Sequence, residues 1–405
     1  MKSWYLRRCS LIASLAALLM LAGCGGGGGG DNGSSSPQPT QNVQPIIVDG
    51  GPAGIPDIAF TTLTICAPGS TTNCQTIDHI QLDTGSVGLR IISSVLSPAL
   101  SLPRQTDANG NPLAECAQFA DGFSWGSVKI ADLSIAGEKA ASLPIQVIGD
   151  ASLPTIPASC SSSGPPENTV TAFGANGLLG VGLFLQDCGA GCAQSAIPGT
   201  YYSCPANGCV PVAAALNKQL QNPVALFSSD NNGVVIQLPA IPAAGAATAS
   251  GSLIFGIGTQ SDNALGGAAV LTVDPNTGYI VTNFGGASYP DSYIDSGSSL
   301  LFFGSHTFPI CTGPAAGLYC PPSTQALSAT LQGINRVTST VNFSVANADQ
   351  LLNANPTFNA FTGIAAPNPD PLSFAWGLPF FFGRSVYTAI ETRSTPGGTG
   401  PYFAF

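Results

Sequence analysis

The chain has 405 residues, a net charge of −10 and only 8% charged side chains. After residue 23 it keeps eight basic and all 21 acidic side chains, a net charge of −13, which argues against nucleic acid or anionic lipid head groups as partners. Gly and Pro occur 49 and 33 times, and the Glu/Lys pairs that stabilise helices are scarce, so the composition favours a turn-rich β protein.

The sequence of residues 1–23 predicts that the protein is exported. A basic start is followed by an apolar run from Leu11 to Leu21, which is too short to span a bilayer comfortably. The run ends in Leu-Ala-Gly-Cys24, which resembles the lipobox of bacterial lipoprotein signal peptides. That resemblance implies cleavage before Cys24 and acylation of Cys24, a durable membrane anchor when several acyl chains are attached. An ordinary secretory signal with a chance Cys, or a membrane anchor helix, stays open as an alternative.

Residues 24–45 are rich in Gly, Ser and Pro without apolar periodicity, so they predict a flexible linker behind the lipid anchor. Gly25 rather than Asp follows the Cys, which by resemblance to lipoprotein sorting favours the outer membrane, facing the periplasm or the cell surface. The remaining 360 residues are too many for one ordinary core. We therefore expect two lobes, 46–230 and 231–405.

Apart from Cys9 in the signal and Cys24 at the anchor, the chain has an even number of cysteines, which in an exported protein predicts disulfides. Local spacing suggests five pairs, although spacing alone leaves other pairings open: Cys66–Cys74, Cys188–Cys192, Cys204–Cys209 and Cys311–Cys320, with Cys116–Cys160 remaining. A zinc site is the competing interpretation. It lacks a paired C-x-x-C, and the only histidines are His79 and His306, so no metal is expected.

Alternating apolar segments bounded by turn residues predict strands at Ile58–Ile65, Gly126–Ile135 and Gly233–Leu238. One short helix is predicted at Pro211–Leu220, because Pro stands at its start and Asn222 with a following Pro ends it. Regular strand–helix alternation is missing, which argues against a doubly wound α/β sheet. The fold class is therefore all-β with a few short helices.

One long-range repeat stands out. Ile-Gln-Leu-Asp83-Thr-Gly-Ser is matched by Ser-Tyr-Ile-Asp295-Ser-Gly-Ser, with the two aspartates 212 positions apart. Each motif is entered by a β-like segment and followed by an apolar one. A single Asp-Thr-Gly-Ser is a weak signal, but two of them separated by one lobe are a strong one.

With these motifs the chain resembles the pepsin-like aspartic proteases. Further segments match that family in the expected order: a flap-like segment at 118–126, an apolar segment at 177–182, a hairpin at 251–258 and closing segments at 375–382 and 385–390. The resemblance implies a two-lobed, all-β fold. The lipobox, the Gly-rich linker and the Asp-Thr-Gly-Ser motif before Val-Gly-Leu-Arg also resemble a family of proteobacterial lipoproteins.

The resemblance implies an endopeptidase in which Asp83 and Asp295 share one proton and activate water on a peptide or protein substrate. It assigns supporting roles in the two loops to Thr84, Gly85, Ser86, Ser296, Gly297 and Ser298. The Thr84 and Ser296 hydroxyls would lock the loops together, and those of Ser86 and Ser298 would bind the outer carboxylate oxygens. No metal or organic cofactor is implied, and a monomer is expected.

The flap-like segment departs from the family pattern. Phe119 stands where a tyrosine is usual, and Arg90 stands where a tryptophan usually receives that tyrosine's hydrogen bond. We expect Phe119, Asp121 and Gly122 to form the flap, with Phe123 or Trp125 as alternative lid residues. This departure supports a second hypothesis, a non-catalytic envelope module that binds peptides or proteins.

A serine hydrolase is the remaining alternative. Gly122-Phe-Ser124-Trp-Gly126 fits the G-x-S-x-G pattern, and His306 could serve as its base. That motif requires a preceding strand and a following helix, whereas here a β-alternating segment follows. The sequence therefore disfavours it.

Overall fold

The computed structural model describes residues 41–305 and 307–405. The predicted signal peptide, the acylation site at Cys24, the linker up to residue 40 and His306 lie outside these residues. Among the described residues, no helix is long and apolar enough to cross a membrane.

The described residues form 24 strands: β1 (Val43–Asp49), β2 (Ile58–Cys66), β3 (Cys74–Asp83), β4 (Val87–Ile92), β5 (Leu113–Gln118), β6 (Phe123–Ile135), β7 (Glu138–Ile148), β8 (Gly177–Val181), β9 (Tyr201–Ser203), β10 (Val210–Pro211), β11 (Gly233–Leu238), β12 (Ala249–Phe255), β13 (Val270–Thr272), β14 (Ile280–Phe284), β15 (Ala287–Ile294), β16 (Leu301–Phe302), β17 (Gln325–Gln332), β18 (Thr338–Val345), β19 (Ala365–Ala366), β20 (Ala375–Trp376), β21 (Arg384–Ala389), β22 (Ser394–Thr395), β23 (Gly398–Thr399) and β24 (Tyr402–Ala404). Four short α-helices occur within the same residues: α1 (Ala158–Ser161), α2 (Val170–Phe173), α3 (Ala190–Gln194) and α4 (Ala348–Ala354). Single 3₁₀ turns lie at Gly51–Ala53, Ser93–Val95, Leu216–Lys218, Pro223–Leu226 and Leu378–Phe380. The all-β prediction is confirmed, as are the three predicted strands, now within β2, β6 and β11.

The predicted helix at Pro211–Leu220 is wrong. Val210 and Pro211 form β10 and pair with β9, and only Leu216–Lys218 makes a helical turn. The amide of Ala214 donates to the carbonyl of Cys192, so the backbone's hydrogen bonds go to other segments. An isolated ten-residue helix is marginal in water, so these tertiary hydrogen bonds prevail.

The strands form a 15-stranded sheet, a seven-stranded sheet and a two-stranded ribbon. In the large sheet β1 pairs with β2 on one side and with β12 on the other. It therefore joins the strands that carry the first aspartate motif to strands from the C-terminal half. The predicted linker boundary at residue 45 falls inside this strand, because β1 begins at Val43.

The main hydrophobic core extends beneath both aspartate motifs and includes Leu82, Leu179, Ile294 and Trp376. In the C-terminal half it is strongly aromatic. The ring of Phe374 stacks on Trp376 at 4.2 Å and on Phe303 at 4.7 Å between centroids. Buried rings of this size contribute much of the apolar area that stabilises a β protein. The loops that end β3 and β15 are thus seated on a rigid base.

The five predicted disulfides are present. They join Cys66–Cys74, Cys116–Cys160, Cys188–Cys192, Cys204–Cys209 and Cys311–Cys320. Cys116–Cys160 spans 44 residues and ties β5 to α1, so it is the one with the largest effect on chain entropy.

Candidate active site: a pair of aspartates between matched loops

Asp83 and Asp295 stand at equivalent places in two matched strand arrangements. In the first, β8 lies between β3 and β4, and Leu179 pairs with both Leu82 and Leu89. In the second, β20 lies between β15 and β16, with Trp376 pairing with Ile294 and Leu301. In both arrangements one neighbour is parallel and the other antiparallel. Each aspartate therefore emerges at the end of a strand held on the same plan.

Within each loop the hydrogen bonds are the same. The amide of Gly85 donates to Asp83 Oδ1 at 2.7 Å, and the Ser86 hydroxyl donates to Oδ2 at 2.6 Å. Gly297 and Ser298 bind Asp295 in the same way, both at 2.7 Å. A carboxylate that accepts such bonds is held in one orientation. Each serine hydroxyl therefore binds the carboxylate oxygen that the glycine amide leaves free.

The two loops are also bonded to each other. The amide of Thr84 donates to Ser296 Oγ at 3.1 Å, and the amide of Ser296 donates to Thr84 Oγ1 at 3.0 Å. The Ser296 hydroxyl donates onward to the carbonyl of Leu82 at 2.9 Å. Thr84 and Ser296 are buried, so these groups have no access to bulk water as a substitute partner. The relative position of the two carboxyl groups is thereby set.

The two carboxyl groups interact directly. Burial, the charge of Asp83 and a hydrogen bond between the two side chains raise the pKa of Asp295 to about 8. The bonds that Asp295 accepts from Ser298 and Gly297 act in the opposite direction and are weaker. Two like charges this close cannot both persist, so the pair holds one proton at neutral pH.

Each loop needs glycine at one position because there is no room for a Cβ atom, not because of the backbone dihedral angles. A Cβ on Gly85 would lie 2.6 Å from Asp295 Cγ, and a Cβ on Gly297 would lie 2.5 Å from Asp83 Oδ1. Each glycine therefore lets the opposite carboxyl group approach. The family resemblance implied supporting roles for the two glycines, and the structure adds this contact.

The pair lies in a cleft of about 830 Å³, within the size range of clefts that enclose most of a small ligand. Its wall includes Leu183, Phe184, Tyr279 and Tyr293, and the two tyrosine rings stack at 6.2 Å. Polar groups thus converge at the aspartates while much of the wall is apolar.

A hairpin formed by β5 and the start of β6, residues 113–127, borders the cleft; we call it the cleft hairpin. Its turn comprises the predicted flap residues 119–122, closed by a hydrogen bond from the Phe119 amide to the Gly122 carbonyl. Phe119 and Asp121 line the cleft, and the Phe119 ring packs on Phe173 at 5.9 Å. Gly122 is buried against Pro165.

The alternative lid residues Phe123 and Trp125 are not at the cleft. Both are buried in a separate cluster, where Trp125 packs edge-on against Tyr202 at 5.2 Å. Ser124 is also buried within β6, and its hydroxyl donates to Gln146 Oε1 at 2.8 Å. No helix follows it, so it lacks the exposed turn that a serine nucleophile needs, and the serine hydrolase interpretation is wrong.

One group of residues at the cleft was missed by sequence reasoning. Arg90 on β4 is buried against Glu115 on β5, with Nη2 2.5 Å from Oε1, and lies 3.6 Å from Asp187 Oδ2. The Tyr201 hydroxyl donates to Asp187 at 2.7 Å. We call these four residues the charged cluster. A sequence signal existed, because a charged residue in an otherwise apolar strand needs a buried partner of opposite charge.

Cys311, Cys320 and Asp349 come close enough together to suggest a metal site. The two cysteines form a disulfide, so neither offers a thiolate. The Asp349 carboxylate accepts the amides of Gly313 and Ala315. These atoms already have structural roles and do not form a metal site.

The fold and the site together define a mostly β protein with two aspartates facing each other from matched loops. Residues 38–405 match the family model described as "Protein of unknown function (DUF3443)", and the chain belongs to that family. A comparison with curated proteins gives no match.

Proposed function

We propose that the protein is an aspartic endopeptidase with a two-lobed, pepsin-like fold, and that Asp83 and Asp295 are its catalytic residues. The observation that carries this proposal is a pair of carboxyl groups held together by matched, mutually bonded loops within a cleft. Such a pair can act as a general base and a general acid at once. Amide hydrolysis needs both functions.

In the proposed mechanism Asp295 holds the proton, because its pKa is raised to about 8, and Asp83 serves as the base. The Asp83 carboxylate takes a proton from an attacking water, while the protonated Asp295 donates a hydrogen bond to the scissile carbonyl. The tetrahedral intermediate then collapses as the amine leaves with a proton from Asp83. Ser86 and Ser298 hold the carboxyl groups in the required orientation throughout.

The envelope location belongs to the same proposal. Its support is the lipobox-like sequence before Cys24, the Gly-rich segment behind it and the five disulfides, which form in oxidising compartments. A substrate would then be a peptide or protein outside the cytoplasm. The strongly acidic chain is consistent with this and argues against nucleic acid.

The test is hydrolysis of a denatured protein by the purified protein across acidic to neutral pH. Asp83→Asn and Asp295→Asn should each lower the rate by at least about 10³-fold, because each removes one partner of the acid–base pair. Asp78→Asn is the matched control, since Asp78 lies on the same strand but its side chain is 67% exposed. A folded protein without hydrolysis at any pH, or a rate that survives Asp83→Asn, would refute the proposal.

A second candidate is a non-catalytic module that binds peptides in the same cleft. It is favoured by the attachment of the cleft hairpin, which is bonded to α1 through Cys116–Cys160 and paired with β9. A hairpin held on both sides is less free to open for substrate exchange. Peptide binding that persists without hydrolysis in the native protein would favour this candidate.

A further inference from the structure

The charged cluster joins elements that must keep their positions for the cleft to retain its shape. Arg90 lies on β4, seven residues after Asp83, while Glu115 lies in the cleft hairpin. Asp187 follows β8, and Tyr201 lies on β9, directly opposite Glu115 in the strand register. Arg90, Glu115 and Asp187 also line the cleft. The cluster therefore links the first aspartate loop, the hairpin and the cleft wall.

The charges of the cluster balance only with an added proton. Arg90 is 3% exposed and Glu115 1%, so neither charge is offset by water. One guanidinium faces two carboxyl groups, which leaves one negative charge in excess. Buried ions without full compensation are strongly disfavoured.

The hydrogen bonds of Glu115 also indicate an added proton. Glu115 Oε2 is buried and receives no donor from the described residues, although Arg90 binds Oε1. The Glu115 and Asp187 side chains are within hydrogen-bonding reach of each other. A proton between them gives Oε2 its partner and removes the excess charge. Burial and the neighbouring Glu115 raise the pKa of Asp187 well above its usual range, against a smaller opposing effect of Arg90.

We propose that Glu115 and Asp187 form a second proton-sharing carboxyl pair, which positions the cleft hairpin against the wall beside Asp83. Both are positioning residues, since they act through the hairpin. Among the described residues, the charged or titratable groups that face the pair are Arg90 from β4 and Tyr201 from β9. When the proton leaves, the charged Asp187 carboxylate needs hydration. Its side chain is already 12% exposed and can gain water by turning toward solvent. The hairpin then loses its bond to Asp187, while the Cys116–Cys160 disulfide and the pairing with β9 remain.

Hydrogen exchange of the β5 amides tests this directly. In the Asp83→Asn protein, which lacks the catalytic pair, protection corrected for intrinsic exchange should fall by up to about tenfold per pH unit while the closed pair still holds the proton and the opened hairpin does not, as one-proton linkage requires. The β17–β18 hairpin, Gln325–Val345, serves as the internal reference and should not follow that fall. Constant protection of β5 from pH 5 to 9 would overturn the proposal.

Two variants sharpen the test. Asp187→Asn and Glu115→Gln each imitate the protonated pair, because an amide donates where the shared proton did. Either variant should keep β5 protected to alkaline pH, and a fall as steep as in the parent would overturn the proposal. Should neither variant fold, the pH series of the parent still decides.

The effect on turnover rests on the proposed protease function. Asp187→Asn should keep KM low up to a higher pH than in the parent. The pH above which kcat falls should stay unchanged, since Asp295 still governs the chemical step. Because hydrogen exchange is measured in an inactive protein, loss of the protease proposal and loss of this one are distinguishable.

Discussion

The two aspartate loops agree in their hydrogen bonds and differ in what lies behind them. Seven residues after Asp83 the chain carries Arg90, and seven residues after Asp295 it carries Phe302. Arg90 enters the charged cluster, whereas Phe302 packs against an apolar cluster. The loops fix the carboxyl groups symmetrically, and the surroundings are free to differ. A symmetric pair can therefore be held by one loop backed by charged residues and another backed by apolar packing.

We expect the largest effect, a loss of catalytic rate, from substitutions in the two matched aspartate loops. Gly85→Ala and Gly297→Ala each place a Cβ about 2.5 Å from the opposite carboxyl group, so the two aspartates must move apart. Displacement of about 1 Å at a reacting centre costs on the order of 10²-fold in rate. We expect losses of at least that size and similar in both variants, measured as kcat/KM on a peptide substrate.

Gly267→Ala is the control, because a Cβ there meets no atom within 4 Å. A loss confined to one of the two loop variants would show that the loops are not functionally equivalent.

We expect the next effect, a loss of stability, from substitutions of the residues behind the two loops, where the two sides differ. Arg90→Met leaves Glu115 and Asp187 buried without their cation, which we expect to lower the free energy of unfolding by about 3–5 kcal/mol. Phe302→Met at the matched position exchanges one apolar side chain for another and should cost less than about 1.5 kcal/mol. Urea unfolding of both variants measures the difference. Equal costs would mean that the charged cluster contributes no more than apolar packing.

The last comparison concerns the pH dependence of stability. The pKa of Asp295 is raised to about 8, so the folded state keeps a proton that the unfolded chain loses near pH 4. The stability from this group is complete below about pH 4 and is lost as pH rises through about 8. Asp57, whose pKa burial also raises, acts in the same direction.

Asp150 acts in the opposite direction. Hydrogen bonds from Ser127 and Ser152 and the charge of Lys129 outweigh its burial and lower its pKa to about 2, so its contribution is lost as pH falls from about 4 through 2. The melting temperature should therefore be highest near pH 4 and decline toward pH 8. Asp295→Asn should flatten the decline, and a melting temperature that rises from pH 4 to 8 would contradict the assignment.

Prediction from sequence succeeded where the signal is local. Alternation within eight residues gave the strand of β2, and cysteine spacings of 4 to 9 residues gave four of the disulfides. It failed at Pro211–Leu220, where helix-favouring composition yields to hydrogen bonds with β9 and Cys192. Local propensity is a weak prior that tertiary contacts can override.

The sequence by itself determined that the chain is mostly β, that ten cysteines can pair, and that Asp83 and Asp295 occupy equivalent motifs. These features depend on neighbours in the chain or on direct repetition. Only the tertiary structure decided that the two carboxyl groups lie together, which raises the pKa of Asp295, and that Glu115 and Asp187 flank Arg90. Protonation depends on burial and on charges from distant segments, and residues 90, 115 and 187 meet only when β4, β5 and the segment after β8 are packed together.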